Sequence, residues 1–439
     1  MIFSLDVLPA LKGDCLLLHF GTRNEPGLVM IDGGPKNVYR PHLKPRLKKI
    51  GQIRGLEGQE PLPVDLLMVS HVDDDHIQGI LDLTREELEA REAHRPSLLN
   101  VRSFWHNSFD EIIGHEPGDL TASMKKQFGA ASTSGSGDLP ERERLAVEEE
   151  CSEHPEVVTS SLKVLSSIEQ GFRLRQDARG LEYRRNPEFD GELIVANKDG
   201  KPIDIAQGLK FTIMGPMQPE LDALRKKHLD WLEAQRRAGK PLPAALAAYI
   251  DKSVPNLSSI VVLAEMGGKS ILLTGDARGD RILEGLRHVG LLGPDAGGKM
   301  RVDVLKVPHH GSANNLDNDF FERIIAGHYV FSGNGEHGNP EREVLAMLLA
   351  ARGDADYTLH FTYSIEHIDS QREKDWIEQQ QREKTKRKKK PEQEIRPDWS
   401  PAKHGLAAFL ADHEDLAKKV SIARDGKPHI INLLDELGF

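Results

Sequence analysis

The sequence predicts an α/β fold, and three observations carry that expectation. Short apolar runs of strand character alternate with segments of helical spacing along much of the chain. Hydrophobic content of 38% with 29% charged residues over 439 positions is enough to bury a large core. The apolar strands end on His, Asp or Asn beside glycine, as at His71 to Gly79, Gly275-Asp276 and Pro308 to Ser312. An α/β scaffold gathers such strand ends at one edge of a sheet.

Length alone suggests two to three domains, or one large sandwich carrying insertions. No apolar run reaches the roughly 18 residues that would mark a membrane span, and the N-terminus enters Ile2 to Leu8 without the pattern of a secretory leader. A cytoplasmic location with no membrane partner is the expectation. Cys15 and Cys151 are the two cysteines, too few for a disulfide framework or a Cys-x-x-Cys site. A net charge of -11 argues against coating nucleic acid by bulk electrostatics, although a metal pair or a local basic groove could still hold a phosphate.

Taken in order, Ile2 to Leu8, Cys15 to Phe20 and Leu28 to Ile31 read as a meander joined by turns at Lys12-Gly13-Asp14 and Gly21 to Gly27. It ends at Ile31-Asp32-Gly33-Gly34, where Asp32 is either a hydrogen-bond acceptor supporting the next loop or part of a plain turn. Tyr39 to Ile50 is a basic amphipathic helix broken near Pro45, followed by the buried strand Val64 to Val69. Helical spacing runs from Leu81 to Arg95. Asn100 to Trp105 is a strand closed by His106, which is a candidate ligand or substrate contact, or ordinary polar surface.

Residues 110 to 205 read as an insertion: a loop at Gly129 to Pro140, then helices near Glu141 to Cys151 and Val157 to Gln170. It either shapes substrate access or is a surface excursion. Strand character resumes at Leu209 to Met214, and a helix follows at Glu220 to Arg237. Ser258 to Glu265 and Ser270 to Thr274 form a hairpin around Gly267-Gly268 that delivers Asp276. A helix at Asp280 to Val289, strands at Val302 to Val307 and Tyr329 to Ser332, and the loop Gly333 to Pro340 complete the pattern. The charged run Gln371 to Pro391, with basic residues at 384 and 386 to 390, is a solvated helix, a linker or a phosphate-binding arm. Strands at Lys419 to Ala423 and His429 to Leu433 would return the chain to the core, giving a unit over 1–362 and a C-terminal extension over 363–439.

The chemistry concentrates in His71-Val72-Asp73-Asp74-Asp75-His76. Carboxylates and imidazoles so close together repel and desolvate one another unless a cation sits among them; the bland alternative is an acidic turn capping a helix. On the metal reading, His71 and Asp73 hold one cation, Asp75 and His76 a second, and Asp276 bridges both, with histidines from later loops completing each shell. Two divalent ions would acidify and orient a shared water for hydrolysis. Three carboxylates would leave a residual positive charge suited to an anionic phosphodiester.

His71-x-Asp73-x-Asp75-His76, Leu273-Thr274-Gly275-Asp276 and Lys306-Val307-Pro308-His309-His310-Gly311-Ser312 together resemble the metallo-β-lactamase superfamily. Within it the chain is similar to the soluble hydrolase domain of the ComEC/Rec2 competence proteins and their stand-alone relatives, over residues 1–105 and 205–362. The resemblance implies an αββα sandwich of two mixed sheets with a dinuclear site on one edge. It implies metal ligands at His71, Asp73, Asp75, His76, Asp276, His310 and His337, with Asp75, Asp276 and His310 central to catalysis. Asp73 stands where the superfamily usually has histidine, which makes manganese a competitor to zinc for the two ions. His337 substitutes for the histidine that relatives place where this chain has Asn339. Asp32, His106, Lys306, His309, Ser312 and Asn339 are expected to support the ligands or touch substrate. The implied reaction is phosphodiester hydrolysis with nucleic acid or a nucleotide as substrate. The alternatives are a small-molecule esterase or lactonase on the same site, or a catalytically degenerate scaffold.

Overall fold

The computed structural model describes residues 1–56, 60–112, 170–223, 225–226, 259–293, 297–388, 390–424 and 426–438. The expected loop at Gly129 to Pro140, the helix near Glu141 to Cys151 and most of those at Val157 to Gln170 and Glu220 to Arg237 lie outside them.

Two mixed sheets face each other. The first contains β1 (Ile2–Val7), β2 (Leu16–Gly21), β3 (Pro26–Ile31), β4 (Leu62–Val69) and β5 (Leu99–His106), bordered on its β1 side by β14 (Ile430–Asn432). The meander β1-β2-β3 is antiparallel, and β4 and β5 continue it in parallel. The second sheet has the order β13-β12-β11-β10-β9-β8-β7-β6, from Val420–Ile422 at one edge to Ile203–Ala206 at the other. Its parallel half comprises β9 (Lys269–Leu273), β10 (Met300–Lys306), β11 (Ile324–Phe331), β12 (Thr358–Phe361) and β13; β6, β7 (Leu209–Gly215) and β8 (Val261–Met266) are antiparallel.

Period-two alternation builds three apolar layers. Phe3, Leu5, Leu16, Leu18, Val29, Val262, Ile271 and Val304 meet between the sheets. Leu17, Leu28 and Met30 point to the outer face of the first sheet, where α1 (Lys44–Ile53) and α2 (Asp74–Glu92) cover them. Leu263, Leu272 and Leu305 point outward from the second sheet. Over that layer lie α3 (Gly279–His288), α4 (Asn318–Arg323), α5 (Arg342–Arg352), the start of α6 (Ile365–Arg387) and α7 (Leu406–Asp412). The result is the α/β sandwich, helices outside two sheets, that the resemblance implies.

Pro45 lies in the first turn of α1, where a π-helical turn at Tyr39–Leu43 gives way to the α-helix. β6 and β12, each 4 residues long, escape the sequence pattern because so few positions show an alternation. In the hairpin β8-β9, Gly267 and Gly268 both take left-handed φ (58° and 76°), as a two-residue turn between twisted strands requires. The C-terminal segment adds an edge strand to each sheet, β13 beside β12 and β14 beside β1. Among the described residues no helix is long and apolar enough to cross a membrane.

Candidate metal centre

The ends of β3, β4, β9, β10 and β11 open onto one edge of the sandwich. A backbone hydrogen bond from Ile260 N–H to Ser70 O (2.8 Å) joins the two sheets there, and His309 N–H donates to Gly275 O (3.1 Å). Three loops thus meet around Asp276, which is buried.

The two carboxylate oxygens of Asp276 face different partners. Oδ2 lies 3.8 Å from His71 Nε2 and 3.7 Å from His309 Nε2. Oδ1 lies 3.2 Å from His76 Nε2 and 3.4 Å from His310 Nε2. Asp73 approaches His71 Nε2 at 3.9 Å, and Asp75 approaches His310 Nε2 at 4.0 Å. Two donors each about 2.1 Å from one tetrahedral ion are about 3.4 Å apart, so the contacts of Asp276 Oδ1 with His76 and His310 match ligands sharing an ion. The contacts made by His71, Asp73 and His309 are wider, and among the described residues Asp75, His76, Asp276 and His310 form the tighter ligand group. Among the described residues, Nε2 of His71, His76 and His310 and Oδ1 of Asp276 are buried with no hydrogen-bond partner. Such atoms carry a large desolvation cost unless something binds them. The nitrogen and oxygen donor set fits a divalent transition metal.

Local structure explains the aim of each ligand. Asp73 caps α2 with extended backbone and no side-chain capping bond, and its Oδ2 faces His71 Nε2. Asp75 and His76 occupy the first turn, whereas Asp74 turns away and accepts from Gln78 and Gln170, both at 2.8 Å. His309 and His310 carry left-handed φ values of 49° and 54° followed by Gly311 at 85°, a strained turn that points two consecutive imidazoles at one carboxylate.

Asp32 is a supporting residue. Its Oδ1 accepts from Ser70 N–H at 2.7 Å; its Oδ2 accepts from Ser70 Oγ at 2.6 Å and lies 2.8 Å from His76 Nδ1. These contacts turn His76 Nε2 toward Asp276. The carboxylates demand positive charge. Burial lowers the pKa of both His76 and His310, but Asp276 and its neighbours outweigh it, holding His76 well above the ordinary imidazole value and His310 at about 9. Burial followed by the charge of His76 pushes His71 down to about 3.

The remaining expected residues fall elsewhere. His337 does not join the group: it is exposed, its Nε2 lies 3.1 Å from Lys12 Nζ, and its backbone N–H is held by Asp375 of α6. His309 faces Asp276 instead. Lys306 is buried and spends its ammonium on Asp14 (2.6 Å) and Gly275 O (3.5 Å), so it does not reach a substrate. Ser312 Oγ donates to Glu341 (3.3 Å), and Asn339 Nδ2 donates to His309 O (3.4 Å), bracing the histidine turn. His106 is buried at the end of β5 beside Gly171, outside the ligand group; burial pushes its pKa down to about 4. Asp14, in the β1-β2 turn, is the residue that sequence reading missed. It lies near Asp32 and His76 as a second acidic group, but Lys306 and Ser332 already engage its oxygens.

Architecture and site together are those of an α/β sandwich of two mixed sheets with a candidate metal centre on one edge. No family model matches the chain. A stretch of 85 residues is 35% identical to microtubule-associated protein 1A of Rattus norvegicus, covering 19% of this chain and 3% of that protein. Another of 120 residues is 31% identical to ComE operon protein 3 of Bacillus subtilis (strain 168), covering 26% of this chain and 14% of that protein. The chain therefore spans a small part of these curated relatives. Among solved structures, the Zn(2+)-bound PqqB from Methylobacterium extorquens aligns over 78% of this chain and 84% of its own, with 10% identity and a TM-score of 0.31.

Proposed function

We propose that the protein is a dinuclear metal-dependent hydrolase acting on phosphodiesters, with nucleic acid or a nucleotide as substrate. The observation that carries the metal reading is the convergence of four imidazole nitrogens, those of His71, His76 and His310 buried and that of His309 partly exposed, on the two oxygens of Asp276. His71, Asp73 and His309 with Asp276 Oδ2 would hold one ion; Asp75, His76 and His310 with Asp276 Oδ1 would hold the other. Bound zinc or manganese would supply Lewis acidity and lower the pKa of water at neutral pH.

Charge supports two ions over one. Asp14, Asp32, Asp73, Asp75 and Asp276 are all buried, and Lys306 is the one buried ammonium beside them among the described residues. The deficit is what two divalent cations cancel. This revises the residual positive charge expected from three carboxylates, because Asp14 and Asp32 add negative charge that Lys306 offsets only in part. Attraction of an anionic substrate then rests on direct contact with the ions, not on a net positive field.

The phosphodiester assignment is supported by the competence-protein resemblance of the three motifs and by the local similarity to ComE operon protein 3. The test is hydrolysis of bis(p-nitrophenyl) phosphate, single-stranded DNA and RNA, set beside carboxylic esters and lactones, for the metal-loaded wild type and for Asp276→Ala. Diester cleavage that Asp276→Ala abolishes while remaining folded is the expected result. Cleavage confined to carboxylic esters would replace the substrate assignment, and a wild type that takes up no divalent ion would overturn the metal reading.

A further inference from the structure

Asp14 contributes no ligand in the arrangement above, yet it is wedged beneath two of the proposed ligands. Its Oδ1 lies 3.4 Å from His310 Nδ1 and its Oδ2 lies 3.9 Å from His76 Nδ1. Each of those rings directs its other nitrogen, Nε2, at Asp276 Oδ1, at 3.4 and 3.2 Å. An imidazole has two nitrogens on opposite sides, so a carboxylate behind one fixes the tautomer and the aim of the other.

The turn carrying Asp14 is held in place independently of those contacts. Gly13 N–H donates to Ala10 O (2.9 Å), and Leu8 N–H donates to Cys15 O (3.0 Å). Gly13 packs directly on the ligand loop: a Cβ there would lie 1.8 Å from Asp75 O. Ser332 at the end of β11 donates to Asp14 Oδ1, and its hydroxyl lies 3.4 Å from His310 Nδ1. Lys306 completes the arrangement with a 2.6 Å contact to Asp14 Oδ2, both side chains being buried.

We propose that Asp14 is a positioning residue that orients His310, and with Asp32 orients His76, toward one ion, and that Lys306 serves as its buried counter-ion. The inference rests on the metal reading above. It assigns the β1-β2 turn a function, separates Lys306 from substrate contact, and distinguishes two roles for Asp14: aiming imidazoles, or merely neutralising Lys306.

Two variants separate those roles. Asp14→Asn keeps the shape but removes the charge that orients the rings. Asp14→Asn/Lys306→Met also removes the ammonium that the single variant would leave buried and unpaired, the change most damaging to folding. Metal affinity would be measured by chelator competition, and ligand geometry by the visible absorption spectrum of the cobalt-substituted protein. If Asp14 aims the histidines, both variants bind one of the two ions about 10- to 100-fold more weakly than wild type. Their cobalt spectra change, and the double variant recovers thermal stability without recovering affinity. Should Asp14→Asn fail to fold, the double variant carries the test alone. Wild-type affinity and spectrum in the double variant would overturn the inference and leave the metal reading standing; a wild type that binds no ion would overturn both.

Discussion

Gly79→Ala sets two opposing effects against each other, and their magnitudes decide the outcome. In an ordinary exposed helix, alanine is favoured over glycine by roughly 0.5–1 kcal/mol because it loses less backbone entropy on folding. Gly79 sits in the second turn of α2, three residues beyond His76, and the turn after β3 crosses it at backbone contact. Gly33 N–H donates to His76 O (2.8 Å) and Gly79 N–H donates to Gly34 O (2.9 Å). An alanine Cβ would lie 1.9 Å from Gly33 O and 2.6 Å from Gly33 C, both backbone atoms that cannot swing aside. Restoring ordinary van der Waals contact needs a shift well over about 1 Å, and overpacking on that scale costs about 1–3 kcal/mol. The same shift carries Asp75, His76 and Asp32 apart, and a 1 Å misplacement of reacting groups costs about 100-fold in rate. Gly51→Ala in α1 is the control, because the one atom near its Cβ is Leu56 Cδ1 at 3.9 Å. Urea unfolding should show Gly79→Ala destabilised and Gly51→Ala unchanged or stabilised, with metal affinity and hydrolysis impaired in Gly79→Ala alone. If Gly79→Ala gains stability and binds metal as wild type does, the packing argument for the ligand loop is wrong.

Two further outcomes follow from the placement of histidines. His337→Ala should leave metal stoichiometry unchanged by elemental analysis, since the side chain faces Lys12; loss of one ion per chain would return His337 to the ligand set. His360 lies between His328 and His429 with nitrogen contacts of 3.0 Å on each side, and burial, then the charges of His429 and His328, push its pKa down to about 3. Because the unfolded chain takes up that proton near pH 6.5, the neutral His360 contributes stability above this value and loses it as pH falls toward 3, by about 2 kcal/mol at pH 5. His360→Gln should lose less stability than wild type between pH 7 and pH 5 in urea melts; an equal loss would refute the assignment.

The ligand loop was legible because its donors are close in sequence and follow an apolar strand, so spacing alone brings His71, Asp73, Asp75 and His76 together. Asp276 and His310 were legible for a related reason: each lies just past a strand, and parallel strands share a polarity that puts those ends on one edge. Asp14 lacked any such signal. It sits in the stretch between β1 and β2, which reads as a plain connection, and its partner Lys306 lies 292 positions away on the other sheet. His337 misled for the opposite reason, since its loop follows a strand of the right sheet, but a contact from α6 turns its backbone outward. The stretch 110–205, expected to be an insertion, and the charged C-terminal run were ambiguous because composition reports solvation, not partners. Helix α6 absorbs much of that run, and the residues after it return to pair with both sheets.

What the sequence could not carry is the division of labour at Asp276. A strand end fixes where a carboxylate emerges but not which oxygen faces which imidazole; that is set by the relative positions of three loops from two sheets. Here the left-handed turn at His309 and His310 presents one ring to each oxygen, so one residue pair completes two ligand groups. The arrangement makes His309 and His310 inequivalent by position, although they are adjacent and chemically identical. On the proposed two-ion centre, replacing either imidazole should therefore weaken a different ion, whereas a change at Asp276 should reach both.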